Sequence, residues 1–279
     1  MIDFWYLGSA AAEGIPALFC ECDICQQAQR AGGRNLRLRS CALVDERVMI
    51  DFPPDMLHHK HRHDLNLALL SHIVFTHSHI DHLAASELCY YFEWYSNRRD
   101  MTSVLGLYGN EKVLGEIRQK FEFDMGKLPD CVSLHKIEPF AKITVGNLAI
   151  TPLPAKHDDR EQCVIYLIEK GEDRVLYAND TTMLPEAAFE FLAGKRLNMV
   201  SLDCTAGRFP CPASHMGFPD NLVARDRLIA QGTADADTLF VSHHFSHNGR
   251  LNYDDFEVLA WGSGFISSYD GLRLNVGGC

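Results

Sequence analysis

The chain has 279 residues, 47% of them hydrophobic, which is enough to bury a full core. Its 26 Lys and Arg stand against 37 Asp and Glu, and the formal net charge of −11 disfavours a long nucleic-acid partner, because phosphate-backbone binding needs a basic surface; a small anion held in a local pocket stays compatible. No apolar run is long enough to span a membrane, and the opening MIDFWYLGSA lacks a basic, apolar leader, so the ten cysteines are expected as reduced thiols in a cytoplasmic protein.

MIDFWYLG reads as a strand closed by a glycine turn. FCECDIC follows and crowds Cys20, Cys22 and Cys25 together. Clustered thiols in a reducing compartment read as metal ligands rather than disulfides, and three thiolates need a fourth ligand to close a tetrahedral zinc site. CALVDERVMIDF predicts a hairpin, and PPDMLHHKHRHDLNLALL a helix over 53–70 with HHKHRH, residues 58–63, on its polar face. HIVFTHSHIDH reads as a buried strand running into a turn. A helix is expected over 82–97, where YYFEWY has the apolar spacing of a core face. Further helices are expected over 110–121, 185–194 and 219–232, punctuated by Pro185, Gly194 and Gly232. Between them NLAITPLP, CVIYLIEKGEDRVLYAND, NMVSLDC and TLFVSHH read as strands. Strands and helices interspersed in this way predict a layered α/β fold with mixed sheets, in a single domain over 1–279. Polar residues collect where strands end: Asp51, His77, Asp180, Asp203 and His244.

The stretch THSHIDH carries the chemistry. His77 and His79 are two apart and face the same way in extended chain, and Asp81 and His82 follow where the chain turns. Imidazole and carboxylate suit Zn²⁺, Mn²⁺ or Fe²⁺. Four such groups on one short segment exceed what a single ion takes from one loop, so two metals are expected.

The run His77-Ser78-His79-Ile80-Asp81-His82 resembles the H-x-H-x-D-H signature of the metallo-β-lactamase superfamily, and the resemblance extends over nearly the whole chain. It implies a four-layer αββα sandwich with two mixed sheets and a dinuclear site at their edge. It implies a third histidine ligand, His157 in PLPAKH, a bridging Asp180 in VLYANDT, and a last ligand in LFVSHH, either His243 or His244. In this arrangement His77, His79 and His157 hold one metal, Asp81, His82 and His244 hold the other, and a bridging hydroxide is the nucleophile. His79 stands where the diiron, oxygen-reducing members carry Glu, which favours hydrolysis. Asp180 stands where many β-lactamases carry Cys, which argues against a lactamase.

LGSAAAEGIPALFCECDIC is similar to the start of two groups within that superfamily: the phosphoribosyl cyclic phosphate phosphodiesterases of phosphonate breakdown, and the B proteins of pyrroloquinoline quinone biosynthesis. The first group is also similar in TPLPAKH, NDTTMLPE, LDCT and HHFSH. Its C-terminal H-x-x-H, here His244 to His247, implies that His244 joins the dinuclear site and that His247 completes a structural zinc site with Cys20, Cys22 and Cys25. The same resemblance makes His215 in ASHMGFPD the candidate general acid, so that His215 and Asp81 are the catalytic candidates. Asp51 and Asp203 are positioned to orient ligand histidines. Lys156, Arg160 and Arg208 flank the predicted site loops. Cys41, Cys89, Cys131, Cys163, Cys204, Cys211 and Cys279 are expected as small buried side chains. The reading is thus a phosphodiesterase with two divalent metals (Zn or Mn) and one structural Zn. It would act on a small cyclic phosphate as a phosphodiester substrate, without a membrane or long nucleic acid; a homodimer is compatible. A tRNA-processing nuclease, a quinone-biosynthesis B-like protein and a non-catalytic metal-binding protein are the alternatives.

Overall fold

Apolar runs that are buried on both faces set the architecture. The computed structural model describes residues 1–278; Cys279 lies outside them. The first sheet is built from β1 (Ile2–Gly8), β2 (Cys41–Val44), β3 (Val48–Ile50), β4 (His72–Val74), β5 (Leu105–Gly109) and β6 (Val132–Lys136). The second takes β7 (Ile143–Val145), β8 (Leu148–Pro154), β9 (Val164–Lys170), β10 (Asp173–Ala178), β11 (Met199–Asp203), β12 (Leu239–His243) and β13 (Phe265–Ser267). The last strand, β14 (Arg273–Val276), returns to the first sheet and pairs antiparallel with β1. Both sheets are seven-stranded and mixed: hairpins form one half of each, and parallel runs β3-β4-β5-β6 and β10-β11-β12-β13 form the other.

Alternation along β9 shows how the layers arise. Val164, Tyr166 and Ile168 point into a core shared with Phe4, Tyr6, Ile50 and Val74 of the first sheet. Ile165 and Leu167 point the other way, against Phe189 and Leu192 of α5 (Glu186–Leu192), Leu228 of α6 (Phe218–Ala230) and Phe256 of α7 (Tyr253–Leu259). A strand buried on both faces reads as a continuous apolar run, which is why VIYLI carries no polar alternation. On the far side, Met49, Ile73 and Leu107 of the first sheet pack against Met56 of α2 (Met56–His63) and Val113, Ile117 and Phe121 of α4 (Glu111–Met125). The result is the αββα sandwich with two mixed sheets. No described helix is long and apolar enough to cross a membrane.

Two helices are shorter than expected. The helix predicted over 53–70 ends at Asp64, whose left-handed backbone (φ 51°) stops it after His63. Its histidine run is not uniformly polar-faced, because His59 is buried. The helix predicted over 82–97 is confined to α3 (Ala85–Leu88) and one 3-10 turn, Cys89–Tyr91. Beyond it the chain folds around Arg98, which donates to the Tyr91 carbonyl and the Ser96 hydroxyl and lies 3.8 Å from the Tyr91 ring centre. Tyr90, Trp94 and Tyr95 are therefore exposed rather than core. Of the solitary cysteines, Cys41, Cys89, Cys163 and Cys204 are buried, and Cys131 and Cys211 are half-buried.

Candidate metal centre

The fold gathers strand ends from both sheets along one edge. Asp51 follows β3, the HSHIDH turn follows β4, His157 follows β8, Asp180 follows β10, Asp203 ends β11 and His244 follows β12. The edges are stitched together at this point: the Tyr166 hydroxyl donates to the Phe75 carbonyl over 2.5 Å, and the Val164 amide to the Thr76 carbonyl over 3.0 Å. Asp51, Asp180 and His244 all have left-handed backbones, at φ 61°, 46° and 60°. Non-glycine residues adopt this conformation uncommonly, at turns and helix ends as at Asp64 and also at functional sites.

The turn brings together the side chains expected from the sequence in two adjacent clusters. His77, His79 and His157 offer ring nitrogens within 4.8 Å of one another, and the ring nitrogens of His82 and His244 lie within 4.8 Å of carboxylate oxygens of Asp81 and Asp180 and of each other. Asp180 Oδ2 lies between them, 3.9 Å from His77 Nε2, 2.6 Å from His82 Nε2 and 3.2 Å from His244 Nε2. Asp81 Oδ2 lies 3.0 Å from His82 Nε2. These approaches lack hydrogen-bond geometry for His77 Nε2, His82 Nε2, His244 Nε2 and Asp180 Oδ2, and each of those four atoms is buried with charged neighbours but no hydrogen bond. Buried polar atoms are ordinarily satisfied, so four orphans aimed at one point are the mark of a site built for cations. The donor set, imidazole nitrogen and carboxylate oxygen, fits zinc or manganese.

Each histidine is held from behind. Nδ1 of His82 lies 2.7 Å from Asp51 Oδ2, Nδ1 of His77 3.0 Å from Thr76 Oγ1, and Nδ1 of His244 2.9 Å from Thr205 Oγ1. His157 turns Nδ1 to the Ser214 carbonyl at 3.3 Å, leaving Nε2 3.2 Å from His79 Nδ1, and the other nitrogen of His79 is 3.0 Å from Asp158 Oδ2. Such partners fix tautomer and ring orientation. Asp51 was expected in this role. Asp203 instead holds His215, with Oδ2 2.9 Å from Nδ1, and His215 Nδ1 is also 3.4 Å from Asp180 Oδ1. The sequence reading missed Asp158, Thr205 and Ser214, and it missed Glu161, whose carboxylate accepts from the Ser78 amide and hydroxyl and pins the signature turn. Only Asp158 had a legible signal, a carboxylate directly after the candidate ligand His157.

Of the two adjacent histidines, His244 faces the cluster. His243 points into the protein, 2.6 Å from Ser40 Oγ and 2.8 Å from Ser268 Oγ.

Burial and charge set the protonation pattern. Burial, with the His82 charge, pushes the His77 ring well below the ordinary histidine range. Burial also opposes charge on His82, but the carboxylates of Asp81, Asp51 and Asp180 outweigh it and hold that ring well above the range. Burial works against ionisation of Asp180 and Asp81, and the histidines overcome it: His244 and His82 hold Asp180 low, and His82 holds Asp81 low. A proton on His82 and a cation at the same place are alternatives, so metal uptake releases protons. In His215 burial depresses the ring, yet Asp203 and then Asp180 bring it up to about 9.

The second cluster joins opposite ends of the chain. Cys20 Sγ and Cys22 Sγ lie 3.5 and 3.4 Å from His247 Nδ1, and the sulfurs of Cys20, Cys22 and Cys25 with that nitrogen fall within 4.8 Å of one another. A Zn–S distance of about 2.3 Å places tetrahedral sulfurs about 3.8 Å apart, so the four atoms suit one zinc ion. Burial opposes ionisation of Cys22, but hydrogen bonds from the Cys25 amide and His247 bring the thiol down to about 6. Burial pushes Cys25 up to about 12.

A cleft of about 430 Å³ opens over the first site, floored by His79, Asp81, His157, Asp180, His215 and His244 and walled by Glu13, Phe209, Ser246 and Asn248. None of Lys156, Arg160 and Arg208 lines it. Arg160 is held by Asp158, and Arg208 Nε donates to the Arg250 carbonyl.

Residues 46–243 match the family model described as a beta-lactamase superfamily domain. No curated protein sequence matches the chain. Among solved structures it is similar to a diphosphatase of the PhnP family, at 23% identity and a TM-score of 0.77 over 100% of this chain and 99% of that one. It is similar to zinc-bound PqqB from Methylobacterium extorquens at 20% identity and a TM-score of 0.71, over 98% of this chain and 99% of that one. It is also similar to the short form of human tRNase Z at 13% identity and a TM-score of 0.68, over 99% of both chains. At these identities the likeness shows a shared fold.

Proposed function

We propose that this chain, which belongs to the beta-lactamase superfamily domain family, is a metal-dependent phosphodiesterase that hydrolyses a small phosphodiester, with a cyclic phosphate as the leading substrate class. One observation carries the reading: four buried donor atoms of His77, His82, Asp180 and His244 converge without hydrogen bonds beside the His79–His157 pair. His77, His79 and His157 would hold one divalent cation, Asp81, His82 and His244 a second, with Asp180 between them. Paired cations in such a site supply Lewis acidity, an activated water and a clamp on both oxygens of a displaced phosphoester. The chain supplies the rest. Asp51, Thr76, Asp158, Thr205 and the Ser214 carbonyl hold the ligand rings, which fixes the site before substrate arrives. His215, gripped at Nδ1 by Asp203, has Nε2 left to give a proton to the leaving oxygen. Cys20, Cys22, Cys25 and His247 would bind a separate structural zinc, closed to substrate because all four positions are protein ligands.

The test is hydrolysis by zinc- or manganese-loaded protein of ribose 1,2-cyclic phosphate, its 5-phosphate, 2′,3′-cyclic nucleotides and an aryl phosphodiester. Asp81→Ala serves as the blank. Cleavage that disappears in the blank supports the reading. Absence of cleavage from fully loaded protein rejects it and favours a protein that binds metal without this chemistry.

A further inference from the structure

The wall of the cleft holds a carboxylate, Glu13, that lies outside the histidine-carboxylate cluster and reaches His247 with one oxygen only. Glu13 sits in a tight turn, in which the Gly14 amide donates to the Ala11 carbonyl at 3.0 Å and Gly14 takes φ 71°. That turn is anchored to the loop carrying His244: the Ala11 amide donates to the Phe245 carbonyl at 2.9 Å. From the other side Arg39 Nε donates to the Ala12 carbonyl at 2.7 Å. Glu13 Oε1 accepts from the Ser246 hydroxyl and lies 3.5 Å from His247 Nε2, so one oxygen is engaged and the side chain, 31% exposed, stands in the cleft wall. Uncharged Asn248 and Thr205 line the same cleft, and Phe209, 45% exposed, adds an aromatic face.

We propose that Glu13 is a specificity-determining residue that selects phosphodiesters whose leaving portion is an uncharged, hydroxyl-rich group such as a sugar or nucleoside, and that it rejects leaving portions bearing a second phosphate. The inference rests on the phosphodiesterase reading of the metal site. A fixed carboxylate accepts hydrogen bonds from sugar hydroxyls, and it repels a phosphate brought close to it. Phe209 offers the flat apolar face that a sugar or base packs against. The phosphate being cleaved would be met at the floor by the metal site and the His215 ring; a second one would meet Glu13 at the wall, and no Lys or Arg is among the described residues that line the cleft.

The experiment compares wild type with Glu13→Gln, which keeps the shape and removes the charge. Both are loaded with zinc and assayed on ribose 1,2-cyclic phosphate and on its 5-phosphate. Calorimetric binding of ribose 1-phosphate and ribose 1,5-bisphosphate gives a readout that needs no turnover. Wild type is expected to favour the singly phosphorylated compounds by about tenfold or more in both kcat/KM and affinity. In Glu13→Gln the preference should shrink through KM, with kcat within about twofold and zinc content unchanged. Preference of wild type for the doubly phosphorylated compounds overturns the inference. So does an unchanged preference in the variant, or zinc loss with equal damage to both substrates, which would make Glu13 only a support for His247. If neither cyclic compound is cleaved, the phosphodiesterase reading fails, and the binding preference still decides the role of Glu13.

Discussion

Asp51 Oδ2 sits 2.7 Å from His82 Nδ1, behind the ring whose Nε2 faces Asp180. Both residues are fully buried. The other oxygen of the same carboxylate accepts from the Thr76 amide at 2.8 Å, so one side chain orients the His82 ring and fixes the start of the signature turn. Asp51→Asn is expected to weaken divalent-metal affinity by about 10- to 100-fold with the fold retained. Titration against a competing chelator, with circular dichroism as the folding control, checks it. Unaltered affinity would remove Asp51 from the site.

The thiol cluster predicts a metal count. Wild type should carry about three equivalents per chain, two in the histidine-carboxylate site and one held by Cys20, Cys22, Cys25 and His247. Cys22→Ser should lose one equivalent and melt at lower temperature, because an ion held there would tie the N-terminal loop to the segment after β12. Elemental analysis of both proteins tests this, and a count of two that Cys22→Ser leaves unchanged would refute the structural zinc.

His215 is proposed as the acid rather than as a metal ligand, although it lies beside Asp180. His215→Ala should keep the metal content and lose about 100- to 10,000-fold in kcat, the usual worth of a positioned acid. Asp203→Asn should lose part of the same factor, since Asp203 grips Nδ1. Steady-state kinetics with parallel metal analysis separates the two roles. Full turnover in His215→Ala would dismiss it as the acid.

Legibility in the sequence followed locality. HSHIDH was readable because its four donors lie on one turn; the interspersed strand and helix runs gave a layered α/β fold, and the four-layer sandwich was legible only through the resemblance that HSHIDH carries. Asp180 and His244 could be placed only by their order along the chain, because what brings them beside His82 is the packing of two sheets. The choice between His243 and His244 was left open by spacing and is made by backbone: φ 60° at His244 swings it to the cluster, while His243 stays in the interior with Ser40. Glu13 and Thr205 carry no sequence signal, since their contacts depend on loops distant in the chain. YYFEWY misled because helical spacing of aromatics says nothing of whether a loop will wrap an arginine such as Arg98 instead.

His59 ties stability to pH away from the metals. Burial pushes its pKa from 6.5 down to about 4. The unfolded chain therefore binds this proton more readily than the folded one between those values. The stabilisation is fully present above pH 6.5 and is lost as pH falls toward 4. Its size is about 2–3 kcal/mol between pH 7 and pH 4.5. Urea unfolding of wild type and His59→Leu at both pH values should show wild type losing that much more than the variant; metal loss at low pH affects both alike. Equal losses would contradict a neutral, buried His59.

The most direct test of the two-metal phosphodiesterase is a metal titration of activity. Protein stripped of the ions in the histidine-carboxylate site, with its thiol-bound zinc retained, receives zinc in steps while hydrolysis of an aryl phosphodiester and of 2′,3′-cyclic adenosine monophosphate is followed. The account predicts that turnover rises until about two further equivalents are bound and is absent at every step in Asp81→Ala. Two equivalents bound by wild type with no cleavage of either diester would contradict it.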